Sequence, residues 1–195
     1  MHDDELTYSL VISEKHPLIP ISVKQAYYKL SKGVLEGYKN LGIHVDYAIP
    51  KRRQKGKEKT AVCFEKLSYY EMVFNGKKIS GNAQTRKKGV LLQHGSIPMS
   101  MDHTLVFDLF QFPSDKHRTR QRERFASRAT TINEITNKKH TYDMLTDAFK
   151  KGFKTGLDIT LKPFELTKEQ WKEVHQLAET KYYVDPQSTN MPRSV

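Results

Sequence analysis

A two-residue turn near the middle of the chain is the feature that most limits how the chain folds. Asn75 and Gly76 stand between two β-prone segments, 69–74 and 77–80. This dipeptide favours a type I′ turn, since both of its residues adopt positive φ angles. The spacing therefore predicts an antiparallel hairpin. Because side chains alternate along a strand, Lys77 and Lys78 should point to opposite faces of the sheet, which directs one of them inward.

Strand-like and helix-like patterns alternate along the remainder of the chain. Strands are predicted over 6–12, 43–48, 61–64 and 90–94, and a long helix over 26–41 follows the Ser22 and Gln25 capping box. Further helices are predicted over 105–110 and 144–156, followed by a strand over 157–164. A last helix should begin at Thr167, with Trp171 on its buried face. This order predicts an α+β fold, a mixed sheet flanked by helices.

The composition places the chain among folded proteins of about one domain. Its 195 residues are enough to bury a core. One cysteine cannot form an internal disulfide, which favours a reducing, cytoplasmic setting. The amino end is acidic and no long apolar run follows it, so neither export nor a membrane partner is predicted.

The net charge of +11 indicates an acidic partner, because an excess of this size attracts negatively charged molecules. It is concentrated in two basic runs, 51–59 and 116–124. An acidic carrier protein and nucleic acid are both candidates, and solvated surface segments are the plain alternative. No zinc-finger spacing, RNA-recognition strand or basic region before heptads is present, so nucleic acid is not predicted as a partner.

Two residues are candidates for chemistry, Cys63 and Lys78. A thiolate attacks thioesters well near neutral pH, although its apolar neighbours fit an inert buried cysteine equally. The Lys78 ammonium could polarise an acyl carbonyl or simply face water. The eight histidines are scattered without metal-ligand spacing, and the glycine-rich phosphate loops are absent. We therefore predict neither a metal nor a cofactor.

Several blocks resemble a known family when taken in order: 2–9, 62–64, 68–71, 76–86, 89–97 and 177–182. They are similar to the biotin/lipoate protein ligase superfamily and, within it, to the bacterial octanoyltransferases of the LipM type. The resemblance implies a class II biotin/lipoate ligase-like catalytic domain over 1–136. It also implies a helix–strand–helix carboxy-terminal extension over 137–184, packed on that domain, and a frayed tail over 185–195.

The activity implied by this resemblance is that of an acyltransferase in lipoate biosynthesis. Octanoyl would leave acyl carrier protein, form a thioester with Cys63, and pass to a lysine of a lipoyl-bearing protein such as the glycine cleavage H protein. Lys78 matches the lysine expected to contact the acyl carbonyl, and position 82 is usually serine in the family. The acyl-pocket residues implied are His2, Gly81, Asn82, Ala83, His94 and Gly95.

Two other functions fit the same residues. An ATP-dependent lipoate–protein ligase shares the block around Lys78 but does not depend on Cys63. A non-catalytic basic module would bind acidic carrier or lipoyl domains without turnover. The cysteine favours the transferase.

The start of the chain departs from the family pattern and generates a first prediction. In the family, an Arg-Arg-x-Thr-Gly-Gly segment that helps to build the acyl pocket precedes the block that begins at His2, whereas this sequence begins at Met1. We expect the 195-residue chain to be poorly stable or weakly active unless such a segment is supplied. The measurement compares it with an amino-extended form. Equal melting temperatures and equal transfer rates would contradict the expectation.

Overall fold

The computed structural model describes residues 3–48 and 71–183. Within these ranges helices and strands combine as the α+β pattern predicts. The strands are β1 (Glu5–Ser13), β2 (Asp46–Tyr47), β3 (Met72–Phe74), β4 (Lys77–Lys78), β5 (Gly81–Lys87) and β6 (Val90–Pro98). The helices are α1 (Val23–Asn40), α2 (His103–Asp108), α3 (Asp115–Ala126), α4 (Ile132–Thr136), α5 (Tyr142–Leu157) and α6 (Lys168–Thr180).

The first sheet is antiparallel and has the strand order β1-β6-β5. A tight turn with positive φ at Lys88 and Gly89 joins β5 to β6. The strand predicted over 90–94 exists and continues to Pro98. The sequence pattern did not reveal β5, because its inward positions are polar or charged and it therefore lacks the apolar alternation that identifies a half-buried strand.

The second sheet is also antiparallel, with the order β2-β3-β4, and it contains the predicted hairpin. Asn75 and Gly76 have φ angles of 48° and 77°, which confirms a turn with positive φ at both residues. The strand over 43–48 is shorter than predicted, since only Asp46 and Tyr47 pair with β3. The strand predicted over 61–64 lies outside the described residues.

Helix α1 packs closely on α5 and forms much of the core. It begins after Ser22, whose side chain accepts a hydrogen bond from the Gln25 N–H, and its predicted apolar face is buried. The contact with α5 is made through glycines on both helices. A Cβ atom built on Gly152 would lie 2.3 Å from the Gly37 backbone nitrogen and 2.6 Å from the Gly33 carbonyl oxygen. The two helices thus approach each other at backbone distance.

The carboxy-terminal part differs from the prediction. Residues 158–167 form no strand, so the strand predicted over 157–164 is wrong, and α5 extends through Leu157 instead. The predicted start of the last helix at Thr167 is confirmed. Thr167 and Gln170 form a capping box at the beginning of α6. Trp171, predicted to be buried, is exposed. Its helical pattern identified an amphipathic helix but could not identify what that helix packs against.

Contacts divide the chain into two compact units, Met1–Thr160 and Leu161–Val195. The first unit includes α5, because α5 packs on α1, so this division falls later than the predicted boundary at 136. The predicted packing of the carboxy-terminal extension on the catalytic part stays a prediction. Across the described ranges, no helix is both long enough and apolar enough to cross a membrane.

The close contact between α1 and α5 generates a stability prediction. Gly152→Ala adds a methyl group against backbone atoms that cannot rotate away. We expect a loss of about 1–3 kcal/mol in the free energy of unfolding from overpacking. This outweighs the gain in helix propensity, which is at most about 1 kcal/mol. Urea denaturation measures the change.

Lys151→Ala is the matched control, because Lys151 is the adjacent residue of α5 and is exposed. It should change the free energy of unfolding by no more than about 0.5 kcal/mol. A stability of Gly152→Ala equal to or above that of the unchanged chain would show that the helices can move apart without cost.

Candidate active site

A buried ion pair forms the centre of the candidate site. Lys78 is only 4% exposed, and its Nζ donates a hydrogen bond to Oε1 of Glu71 at 2.7 Å. Glu71 is buried as well. The hairpin register explains the pairing. Lys78 lies opposite Val73 of β3, and Glu71 stands two residues before Val73, so alternation places its side chain on the same face as Lys78. The tight turn therefore brings an acid and a base together inside the protein.

The backbone around Lys78 is held on both sides. Its N–H donates to the carbonyl of Arg128 at 2.7 Å, and its carbonyl accepts from the N–H of Thr130 at 2.9 Å. The next residue, Ile79, accepts a hydrogen bond at its carbonyl from the buried Tyr38 hydroxyl. These contacts fix the strand from which the lysine projects.

Lys77 points the other way, as strand alternation requires. Its Nζ donates to the carbonyl of Ala126 at the end of α3, at 3.1 Å. The prediction that one of the two adjacent lysines is directed inward is thus confirmed, and Lys78 is the inward one.

A set of four polar side chains lies on the inner face of the first sheet, and we call it the polar row: Tyr8, Asn82, Gln84 and Gln93. The Tyr8 hydroxyl donates to Oδ1 of Asn82 at 2.8 Å and accepts from Nε2 of Gln93 at 3.1 Å. Nε2 of Gln84 donates to Oε1 of Gln93 at 3.0 Å. The Tyr27 hydroxyl of α1 donates to the Asn82 carbonyl at 3.4 Å. Asn82, a member of the row, is four residues after Lys78 in the sequence.

Burial sets the protonation state of the tyrosines in this region. Desolvation raises the pKa of Tyr8 well above its usual range, and it raises the pKa of Tyr27 to about 12. The hydrogen bond that Tyr8 accepts from Gln93 opposes the shift of the Tyr8 pKa only partly. Both hydroxyls are therefore protonated at neutral pH and act as hydrogen-bond donors.

The structure brings together some of the residues implied for the acyl pocket. Asn82 and Gly95 are directly paired across β5 and β6, and Gly81 is the neighbour of Asn82. Ala83 and His94, also paired with each other, lie on the outer face of the same sheet and are exposed.

His94 does not lie in the core, and its place in the acyl pocket stays a prediction. Its Nδ1 lies 3.2 Å from the Ser9 hydroxyl, on the exposed face of the sheet. Alternate side chains of β6 face the core and the solvent. The sequence did not show which of the two sets faces the core. Two further candidates, His2 and Cys63, lie outside the described residues.

Sequence reasoning missed Glu71, Tyr8, Gln93 and Tyr27 as members of the site. A signal for Glu71 was available, because the Asn75-Gly76 turn fixes the register and places Glu71 on the same face as Lys78. No comparable local signal existed for Tyr8, since its partner Asn82 is 74 residues away and belongs to a strand that the pattern did not reveal.

Two cavities lie in the first unit, and Lys78 lines neither. One of about 390 Å³ lies beside Tyr28 and Tyr47, and one of about 450 Å³ lies beside Lys77, His103 and Glu134. Within 3–48 and 71–183, no three histidine, cysteine or carboxylate side chains are grouped so that they could hold a metal ion. Neither of these two cavities is lined by a residue of the ion pair or of the polar row.

Charge and hydrogen bonding suit this arrangement to a carbonyl substrate. A lysine ammonium is a strong donor to an oxygen that acquires negative charge, and a low-dielectric surrounding strengthens that interaction. The second basic run lies on α3, whose end is joined to Lys77. Positive charge is thus present near the same hairpin.

Comparisons with known proteins identify the family. Residues 1–154 match the lipoyl protein ligase A/B catalytic domain. The chain is 53% identical over 182 residues to "Octanoyltransferase LipM" of Oceanobacillus iheyensis, covering 93% of this chain and 66% of that protein. It is 48% identical over 190 residues to the protein of the same name in Bacillus subtilis, covering 95% and 68%. The chain thus spans about two thirds of the length of these relatives.

A solved structure shows the same fold. It comes from an archaeal lipoylation system of Thermoplasma acidophilum, described as a bipartite lipoate protein ligase and its E2 lipoyl domain. The TM-score is 0.71 at 17% identity, with 98% of this chain and 66% of that chain covered. The fold is thus that of the lipoate and biotin protein ligase catalytic domains. The chain belongs to the lipoyl protein ligase A/B catalytic domain family and, within it, to the octanoyltransferases of the LipM type.

Proposed function

We propose that this chain transfers an octanoyl group from octanoyl-acyl carrier protein to a lysine of a lipoyl-bearing protein, in lipoate biosynthesis. The glycine cleavage H protein is the proposed acceptor. The observation that carries this proposal is the buried Lys78, held by Glu71 at the end of a hairpin that leads directly into the polar row. The names of the similar proteins support the octanoyl group.

Cys63 is the proposed nucleophile. Its Sγ attacks the carbonyl carbon of the carrier thioester, a new carbon–sulfur bond forms, and the carrier thiolate leaves. The acceptor amine then attacks the same carbon, the Cys63 thiolate leaves, and the amine loses a proton as the amide forms. One thioester replaces another in the first step, and an amide is more stable than a thioester. Neither step therefore requires ATP or a cofactor.

Lys78 is the proposed donor to the acyl oxygen in both steps. Each attack turns the carbonyl into a tetrahedral intermediate with a negative oxygen, and a positive donor already in place stabilises that oxygen without reorganisation. Glu71 positions the ammonium through the 2.7 Å hydrogen bond. Gly81, Asn82 and Gly95 are the proposed pocket residues, since they lie together near the start of β5.

The positive charge of the chain suits the proposed partners. Acyl carrier protein and lipoyl domains are acidic, so a chain with a net charge of +11 attracts both and accelerates their encounter. Helix α3 is one basic surface near the hairpin. Its exposed Lys116 and Arg120 are one helical turn apart and face solvent together.

The covalent intermediate generates a direct test. Incubation with octanoyl-acyl carrier protein should add one octanoyl group to the intact chain, and hydroxylamine should remove it. The chain has one cysteine, so a thioester can form only on Cys63 and should be absent in Cys63→Ala. Intact-protein mass spectrometry measures the adduct. The absence of an adduct on the amino-extended form as well would contradict the transferase.

Two further experiments distinguish the transferase from the ligase and from the docking module. Transfer from free octanoate and ATP, undiminished in Cys63→Ala, would indicate a ligase. Unchanged binding of the acidic carrier by Cys63→Ala, together with no turnover by the unchanged chain, would indicate a docking module.

The ion pair generates a second functional prediction. Lys78→Ala should slow formation of the acyl-enzyme by about 10²–10³-fold, because one donor to the oxyanion is lost. It should also destabilise the fold by about 3–5 kcal/mol, since the buried Glu71 carboxylate loses the ammonium that faces it at 2.7 Å. Single-turnover acylation and thermal melting measure the two effects.

A double variant separates these effects. Lys78→Met combined with Glu71→Gln removes both charges, so it should recover much of the stability and none of the rate. Lys77→Ala is the matched control, because Lys77 is the adjacent lysine on the opposite face, and it should acylate at the original rate. Recovery of the rate in the double variant would show that Lys78 is only structural.

A further inference from the structure

Apart from the polar row and Arg86, the inner face of the first sheet is apolar. The neighbouring inward positions hold Leu6, Leu91 and Ile97, all in the core, and Gln93 among them has no exposed surface. Burying amide and hydroxyl groups costs free energy unless every donor and acceptor is paired. An apolar row would stabilise the sheet at lower cost, so the polar side chains point to a role beyond packing.

All hydrogen bonds between the side chains of the row run in one direction. Gln84 donates to Gln93, Gln93 donates to Tyr8, and Tyr8 donates to Asn82. The series ends at the Asn82 amide, where Oδ1 is occupied by the Tyr8 hydroxyl. Nδ2 of Asn82 is buried and donates to no atom in the part of the chain that the structure describes. A buried donor of this kind destabilises the fold until an acceptor reaches it.

Gly95 makes the bond between Tyr8 and Asn82 possible. These two residues flank Gly95 on either side in the register of the first sheet, so their side chains meet above its Cα atom. A Cβ atom on Gly95 would lie 2.2 Å from Oδ1 of Asn82 and 2.2 Å from the Tyr8 ring. Any other residue at position 95 would therefore displace the amide.

Tyr27 connects the row to the ion pair. Its hydroxyl donates to the Asn82 carbonyl, and the Glu71 carboxylate is one of the charges that raise its pKa. Tyr27 is thus in contact with Asn82 and within electrostatic range of the partner of Lys78. Lys78 and Asn82 are also separated by only three residues, 79–81. The buried donor and the buried cation therefore belong to one region.

We propose that Nδ2 of Asn82 donates a second hydrogen bond to the acyl carbonyl oxygen, alongside Lys78, and that Tyr8 and Gln93 are positioning residues that keep this amide oriented. The inference rests on the proposed acyl transfer. A carbonyl oxygen accepts two hydrogen bonds, and both strengthen as the oxygen becomes negative in the tetrahedral intermediate. The donors behind Asn82 polarise its amide and strengthen the bond that Nδ2 makes.

The test replaces the donor and leaves the acceptor. Asn82→Asp keeps an oxygen for the Tyr8 hydroxyl but removes Nδ2, and Asn82→Ala removes both. Each should slow single-turnover acylation of Cys63 by about 10²–10³-fold. Asn82→Ser keeps a hydroxyl donor and should retain most of the rate. Tyr8→Phe keeps the ring but releases the amide, and it should give a smaller loss.

The carbonyl stretching frequency of the isotope-labelled acyl-enzyme is the second readout. A hydrogen bond to the carbonyl lowers this frequency, so it should rise in Asn82→Ala and stay low in Asn82→Ser. Thr85→Ala is the matched control, because Thr85 lies on β5 with its side chain on the outer face. It should change neither rate nor frequency. A purely structural row would lower melting temperatures without moving the frequency.

The outcomes separate this inference from the proposed function. An amino-extended form without substitutions that forms no acyl-enzyme overturns both. An unchanged chain that forms the acyl-enzyme, with Asn82→Asp or Asn82→Ala acylating at the same rate and showing the same carbonyl frequency, overturns only the donor role of Asn82. Should Asn82→Asp fail to fold because of its buried charge, the neutral Asn82→Ala and Asn82→Ser pair decides the matter.

Discussion

The ion pair between Lys78 and Glu71 is the interaction on which the candidate site depends. Taking two charges out of water costs several kcal/mol each, and only a close, well-aligned contact offsets that cost. The 2.7 Å hydrogen bond provides the contact, and it requires the hairpin to hold its register. The Lys78 N–H donates to the Arg128 carbonyl and the Lys78 carbonyl accepts from the Thr130 N–H, and these bonds hold β4 on the side away from β3. A loose hairpin would lengthen this contact and weaken the compensation that each buried charge receives from the other.

The packing of α1 on α5 fixes the position of a helix that contacts the candidate site. Because Gly37 and Gly152 let the two helices approach closely, α1 is fixed against the core along its length. Two tyrosines of α1 then reach the strands: Tyr38 donates to the Ile79 carbonyl and Tyr27 to the Asn82 carbonyl. Ile79 lies in the short segment 79–80 that connects the two sheets, and Asn82 is the second residue of β5. A shift of α1 would therefore disturb the lysine and the polar row together.

The sequence predicted the elements whose signals are local. The Asn75-Gly76 turn requires positive φ at both residues, and the apolar spacing of α1 repeats over many turns, so both were identified. Strand β5 was missed because its inward residues, including Asn82, are polar or charged and so lack the apolar alternation of a half-buried strand. Burial of the last helix was predicted wrongly, since amphipathic spacing does not reveal which surface covers it.

The distinction between local signals and long-range contacts also applies to the residues of the site. Lys78 was identified as a candidate because the hairpin limits which way it can point. The partnership of Tyr8 with Asn82 could not be deduced, because it depends on the order of strands in the first sheet and on Gly95 between them. Nor could the sequence show that His94 lies on the exposed face, since alternation fixes relative positions along a strand but not which set faces the core.

The two proposed donors reach the carbonyl from different sheets and depend on different physics. Lys78 contributes a charge, whose effect extends over several ångströms and is held in place by another charge. Asn82 contributes a dipole, which acts only when its direction is correct and is held by neutral groups. Since burial raises the pKa of Tyr8, these neutral groups keep their protonation state around neutral pH. A change in pH near neutrality therefore leaves the orientation of the dipole unchanged, and the rate there should follow the groups that carry protons in the reaction, the thiol and the acceptor amine.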